Sequence, residues 1–142
     1  MRKLLCAMAA VAATLVTFGA GSAQAESAPG CAGTVQIGST AYGTYQGQTA
    51  ISVKQFKGCG LNWAYIYVWQ SFRDRHIPYT AHIEVAMQLD DANLPEGSVY
   101  KSGSPVELWS KGTDTLPVCT QAWGDLSFGT NDGVTAVTTM RC

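Results

Sequence analysis

Apolar and polar residues alternate along much of this chain with a period of two. That is the repeat of a β-strand, whose successive side chains point to opposite faces. Gln48–Phe56 (QTAISVKQF) is rich in β-formers and sets Ile51 and Val53 on one face. Gly58-Cys59-Gly60 then breaks the pattern. Asn62–Phe72 (NWAYIYVWQSF) carries the strongest strand signal, with Trp63, Tyr65, Tyr67 and Trp69 on one face and Ala64, Ile66 and Val68 on the other. Two apolar faces predict a central strand covered on both sides. Arg73–Pro78 is polar, ends in proline and reads as a turn. In Tyr79–Leu89, Ala81, Ile83, Val85, Met87 and Leu89 alternate with Thr80, His82, Glu84, Ala86 and Gln88, a half-buried strand with one wet face. These last two strands are expected to pair as a long hairpin.

The remaining signals are shorter. Asp90–Gly97 reads as a loop, and Val99–Lys101 and Val106–Trp109 as short strands around Gly103-Ser104-Pro105. Pro117–Phe128 holds another strand that includes Cys119, Asn131-Asp132-Gly133 marks a turn, and Val134–Arg141 is a closing strand. Gly30, Gly33, Gly38, Gly43 and Gly47 have no strand-to-helix context, so they read as turns rather than a phosphate loop. With about seven strands and no amphipathic helix, the expected fold is all-β: a single small antiparallel β-sandwich or barrel.

The N-terminus changes the picture. Met1-Arg2-Lys3 precedes an apolar stretch from Leu4 to Ala20 and an Ala23-Gln24-Ala25 end. Positive charge, apolar core and Ala-x-Ala are the three parts of a secretory signal helix. Residues 1–25 are therefore read as a cleaved signal and 26–142 as a secreted β domain. Removing 25 of the 142 residues leaves 117, one domain in size. Arg2 and Lys3 leave with the signal, so seven basic residues face ten acidic ones and the net charge is about −3. No basic cluster remains, which argues against nucleic acid or an anionic membrane as partner. No later apolar run is long enough for membrane insertion.

Four cysteines stay with the domain: Cys31, Cys59, Cys119 and Cys142. An even count in an exported chain points to two disulfides, with three pairings open. Ligand pairs of the C-x-x-C or H-x-x-x-H kind are missing, so no metal and no cofactor are expected.

Catalytic patterns are equally scarce. The chain has no G-x-S-x-G elbow, and only His76 and His82 could serve a nucleophile. His82 and Glu84 lie one pleat apart on the wet face of their strand and read as a solvated surface, as does His76 beside Asp74 and Arg75. Asp90-Asp91 is the only adjacent acidic pair; neighbours in a loop point apart and lack EF-hand spacing. The expected protein is not an enzyme.

The aromatic row Trp63, Tyr65, Tyr67, Trp69 is the candidate binding surface, for sugar rings or for a partner's apolar patch. The same rings would equally fill a core between sheets. The leading expectation is a non-enzymatic interaction module, an adaptor or accessory subunit of an extracellular protein assembly such as a secreted toxin complex. Cell-wall glycan binding through the aromatic face is the alternative. A small proteinase inhibitor, with Thr115-Leu116-Pro117-Val118-Cys119 as its reactive loop, is a third reading.

Residues 30–90 also resemble a known family. Gly30-Cys31, a Val-, Thr- and Tyr-rich segment, the strand ISVKQF, and Cys59 followed by Asn62-Trp63-Ala64 stand in the order and cysteine spacing of the YjfA-like family. Its members are small secreted proteins of Gram-positive bacteria with no established activity. Lys54, Phe56 and Lys57-Gly58 replace the arginine-rich strands and serine-rich turn of that family, and its extra N-terminal cysteines are missing here. The resemblance implies the pairing Cys31–Cys59, leaving Cys119 for Cys142. It supplies no catalytic residue.

Overall fold

The computed structural model describes residues 26–89 and 92–142. Residues 1–25, read above as a signal, and the Asp90-Asp91 pair lie outside the described residues. The described residues form eight strands and one helical turn: β1 Val35–Tyr45, β2 Gln48–Gly58, β3 Leu61–Val68, α1 Gln70–Arg73, β4 Thr80–Leu89, β5 Ala92–Lys101, β6 Glu107–Trp109, β7 Thr120–Phe128 and β8 Asp132–Val137. They make two four-stranded sheets, ordered β1-β2-β3-β6 and β5-β4-β7-β8, with every neighbouring pair antiparallel. The fold is a β-sandwich, and the two disulfides are Cys31–Cys59 and Cys119–Cys142.

The alternation seen in sequence builds the core. Ile51 and Val53 of β2, Ala64, Ile66 and Val68 of β3, Ala81, Ile83 and Val85 of β4, and Ala122 and Leu126 of β7 are buried together between the sheets. Gly124 sits among them on β7, and a Cβ there would lie 2.7 Å from Val53 Cγ2 and 3.1 Å from Ile83 Cδ1. Close-packed interiors do not absorb such an addition without strain. Gly124→Ala is therefore expected to destabilise the domain by about 1–3 kcal/mol, measured as a lower urea midpoint with an unchanged m-value. At one end of the sandwich a polar trio bridges the sheets: Gln55 Nε2 and Asn62 Nδ2 donate to Thr120 Oγ1 at 2.7 and 2.8 Å.

Three expectations from the sequence are corrected. First, β3 and β4 are not a hairpin but belong to opposite sheets. Residues 69–79 between them form α1 and a crossing turn. Phe72, 2% exposed, plugs the end of the sandwich there against the rings of Tyr45, Tyr79 and Phe128. That buried ring carries the chain from one layer to the other. Second, Gly30, Gly33 and Gly47 lie in turns as expected, but the segment between them is not a run of turns. Gly38 and Gly43 lie inside β1, an edge strand irregular between Ile37 and Ala41. Gly43 lets β1 approach the second sheet: a Cβ would lie 2.6 Å from Val134 Cγ1. Third, Asp90–Gly97 is not a loop throughout, because β5 starts at Ala92 and runs through Pro95 and Gly97. β5 is an edge strand, where proline removes no ladder bond that the sheet needs. At the C-terminus, β8 ends at Val137, and Arg141 returns only as a single bridge to Thr120 beside the Cys119–Cys142 disulfide.

Candidate functional site

Two-residue turns set the register of the first sheet. Gln46-Gly47 joins β1 to β2 and Cys59-Gly60 joins β2 to β3, all four residues with positive φ, as a hairpin turn twisted to match its strands requires. From the Cys59-Gly60 turn the β2–β3 pairing counts outward without a break, whereas a bulge between Gly43 and Thr44 moves β1 by one residue against β2. Tyr42 faces Ser52, Ser52 faces Tyr67, and Tyr67 faces Glu107. Strands lie about 4.8 Å apart, so this row of four side chains spans about 14 Å across the outer face. The next row holds Lys54, Tyr65 and Trp109.

The aromatic row of β3 lies on this outer face, away from the core between the sheets, and it divides. Trp63 and Tyr65 are 7% and 2% exposed and join Phe56, Ala28 and Cys31 in a second apolar cluster. Phe56, Tyr65 and Trp109 have ring centroids 4.7–6.3 Å apart. The Trp63 indole donates to the Gly58 carbonyl at 3.1 Å. A strap running from Glu26 to Cys31 covers this half. Cys31–Cys59 anchors one end, and the Lys54 ammonium holds Glu26 at the other, at 2.6 and 2.8 Å from its two carboxylate oxygens. Tyr67 is half-buried, while Trp69 is 41% exposed and Tyr42 60% exposed. The Tyr67 and Trp69 rings meet edge to face at 5.9 Å.

The uncovered half is concave. Glu26, Thr40, Tyr42, Ser52, Lys54, Tyr65, Tyr67, Trp69 and Glu107 line a cleft of about 470 Å³. Tyr65 presents its hydroxyl there and donates to Glu107 Oε2 at 2.7 Å. Burial raises this hydroxyl well above the usual phenol range, and the hydrogen bond to Glu107 with the charges of Glu107 and Glu26 pushes the same way. Of these lining residues, sequence reasoning named Tyr65, Tyr67 and Trp69; Trp63, its fourth ring, lies outside the lining in the covered half. It missed Thr40, Tyr42, Ser52, Lys54, Glu26 and Glu107. The Cys59-Gly60 turn carries the signal that places Ser52 and Lys54 beside the β3 rings; Tyr42 reaches the row through the bulge between Gly43 and Thr44, which has no such signal. Glu26 and Glu107 come from a strap and a three-residue strand with no local pattern.

A second cluster lies on the outer face of the other sheet. His82 is paired across the strands with Tyr100 on one side and Asp125 on the other. It is 8% exposed rather than solvated, which corrects the reading of this face as a wet surface. Its Nδ1 lies 2.8 Å from Asp125 Oδ1, its Nε2 lies 3.1 Å from Glu84 Oε2, and its ring stacks on Tyr100 at 4.0 Å. The Asp125 contact has hydrogen-bond geometry, while Nε2 faces Glu84 at ion-pair distance only, and both carboxylates favour the protonated ring. Burial alone lowers the His82 pKa, but the hydrogen bond and charge of Asp125 and the charge of Glu84 outweigh it and leave it raised. Ser98 donates to Glu84 at 2.8 Å rather than to the imidazole, so no nucleophile–base pair forms. The group is a charged clasp joining β4, β5 and β7.

The clasp has a pH signature. A raised folded pKa gives stability that is fully present below the unfolded value of about 6.5 and is lost as pH rises through the folded value. Urea unfolding from pH 6 upward should therefore show the wild type losing stability that His82→Gln does not lose. Parallel pH profiles for the two proteins would contradict the clasp.

The proposed inhibitor segment has its own geometry. Thr115–Val118 closes as a turn, Val118 N–H to the Thr115 carbonyl at 3.3 Å, and buried Thr115 shares a hydrogen bond with Thr113 at 2.8 Å. It is not an extended, substrate-like strand.

No protein-family model matches the chain, and no curated protein matches it.

Proposed function

We propose that the mature chain is an exported, non-enzymatic module that binds cell-envelope glycan in the cleft on the outer face of the first sheet. The observation that carries this reading is the row Tyr42–Ser52–Tyr67–Glu107, with Trp69 beside Tyr67. Sugar rings present apolar C–H faces and a rim of hydroxyls. Exposed aromatic faces take the first, and short polar side chains and carboxylates take the second. A concave cleft of this mixed lining suits a sugar better than a flat protein surface. Export fits the signal-like residues 1–25 and the two disulfides, which persist in oxidising compartments.

A pull-down on insoluble wall polymer tests it: the purified oxidised domain should co-sediment and be released by soluble oligosaccharide from the same polymer. A domain that stays in the supernatant contradicts the reading. The adaptor reading draws on a different surface. Leu89, Leu94, Leu116 and Val118 are exposed, and a Gln88–Cys119 backbone hydrogen bond of 2.9 Å brings the end of β4 beside the turn that carries Leu116 and Val118. Under that reading, Leu116→Ser and Val118→Ser would abolish co-purification of a protein partner and leave glycan binding untouched.

A further inference from the structure

The charges in the cleft narrow the kind of sugar it takes. Two carboxylates, Glu26 and Glu107, and one ammonium, Lys54, line it. Lys54 is committed to Glu26, which it grips through both carboxylate oxygens. Glu107 has no cationic partner among the described residues, and its one hydrogen bond is from the neutral Tyr65 hydroxyl. An unneutralised carboxylate thus stands across the strand from Tyr67, with the Trp69 ring at 5.9 Å from that of Tyr67 and Tyr42 farther along the same row.

Aromatic faces carry the negative end of the ring quadrupole and attract cations. A carboxylate beside them attracts the same ligand and repels anions. Uronic acids and phosphate-bearing polymers would meet repulsion from both, whereas an ammonium group gains from both.

We propose that the glycan bound here carries unacetylated amino sugars, with a ring ammonium set against Glu107 and the faces of Tyr67 and Trp69. The proposal rests on the glycan-binding reading and adds the charge of the ligand. A partly deacetylated wall polysaccharide has this chemistry.

Calorimetric titration at about pH 6 with glucosamine oligomers and with N-acetylglucosamine oligomers of the same length and linkage tests it. A charge-assisted contact is expected to make the amine form bind about tenfold tighter or more. Its affinity should fall with added salt, while that of the acetylated form should not. Glu107→Gln keeps the shape of the side chain and an acceptor for the Tyr65 hydroxyl. It should erase the tenfold preference, so that the amine and acetylated oligomers bind the variant alike. Equal binding of the two oligomers, or tighter binding of the acetylated one, overturns the amine proposal and leaves the glycan reading standing. Binding of neither overturns both. Near-equal thermal midpoints for Glu107→Gln and wild type separate lost recognition from lost fold.

Discussion

Replacing Trp69 with alanine is expected to weaken binding to wall glycan by about thirtyfold, roughly the 2 kcal/mol of an aromatic hot spot. The stability of the domain should change by clearly less than in Trp63→Ala, because Trp69 is 41% exposed and its ring contact is edge to face with Tyr67. Trp63→Ala should behave in the opposite way. Trp63 is 7% exposed, packs in the cluster beneath the strap and donates to the Gly58 carbonyl. Its loss should cost about 3–5 kcal/mol, as expected for a large buried aromatic. Binding and unfolding measured on both variants separate the working half of the aromatic row from its structural half. If Trp69→Ala binds polymer as the wild type does, the exposed half is not the ligand surface.

The second large effect concerns the disulfides. Cys31 and Cys59 are 28 residues apart in the chain, and Cys119 and Cys142 are 23 apart. Closing loops of that size restricts the unfolded chain by about 3–4 kcal/mol each. A domain of this length holds a total of about 5–15 kcal/mol, so removing both bonds should bring it close to unfolding at 37 °C. The two bonds should differ in their effect on binding. Cys31–Cys59 pins the strap that brings Glu26 to Lys54 at the edge of the cleft. Cys119–Cys142 pins the C-terminus beside Thr120. Cys31→Ser with Cys59→Ser should lose both stability and glycan affinity. Cys119→Ser with Cys142→Ser, assayed at a temperature where it remains folded, should lose stability alone. Urea unfolding and polymer binding on the two double variants check this. Equal loss of affinity in both would sink the role given to the strap.

Period-two alternation made the sandwich legible, because one buried face per strand is what the core demands. It placed the inner residues of β2 and β4, and the two apolar faces of NWAYIYV mark a strand covered on both sides, but not which face meets the second sheet: the small residues Ala64, Ile66 and Val68 do, and the rings do not. It missed β1, since an edge strand with few inward side chains and two internal glycines leaves no apolar rhythm. It also missed the change of sheet between β3 and β4. Strand patterns carry no label for the sheet they join, and the deciding contact is a single buried Phe72 in a polar turn.

For the cleft, the sequence offered the ring identities and their common face but not their division into covered and uncovered halves. That division is made by the strap, and the strap is held by a disulfide and an ion pair between residues far apart in the chain. The His82 clasp was hidden for a related reason. His82 and Glu84 are visible one pleat apart, but Asp125 arrives from β7 and Tyr100 from β5. Only the assembled sheet turns a wet face into a buried charge.

The most direct test of the central claim is the indole N–H spectrum of the ¹⁵N-labelled domain, which reports the four tryptophans separately, titrated with soluble wall oligosaccharide. The account predicts that the Trp69 signal moves with saturating ligand while those of Trp63 and Trp123 stay in place. A titration in which the Trp69 signal stays still, with the ligand bound or not, would contradict it.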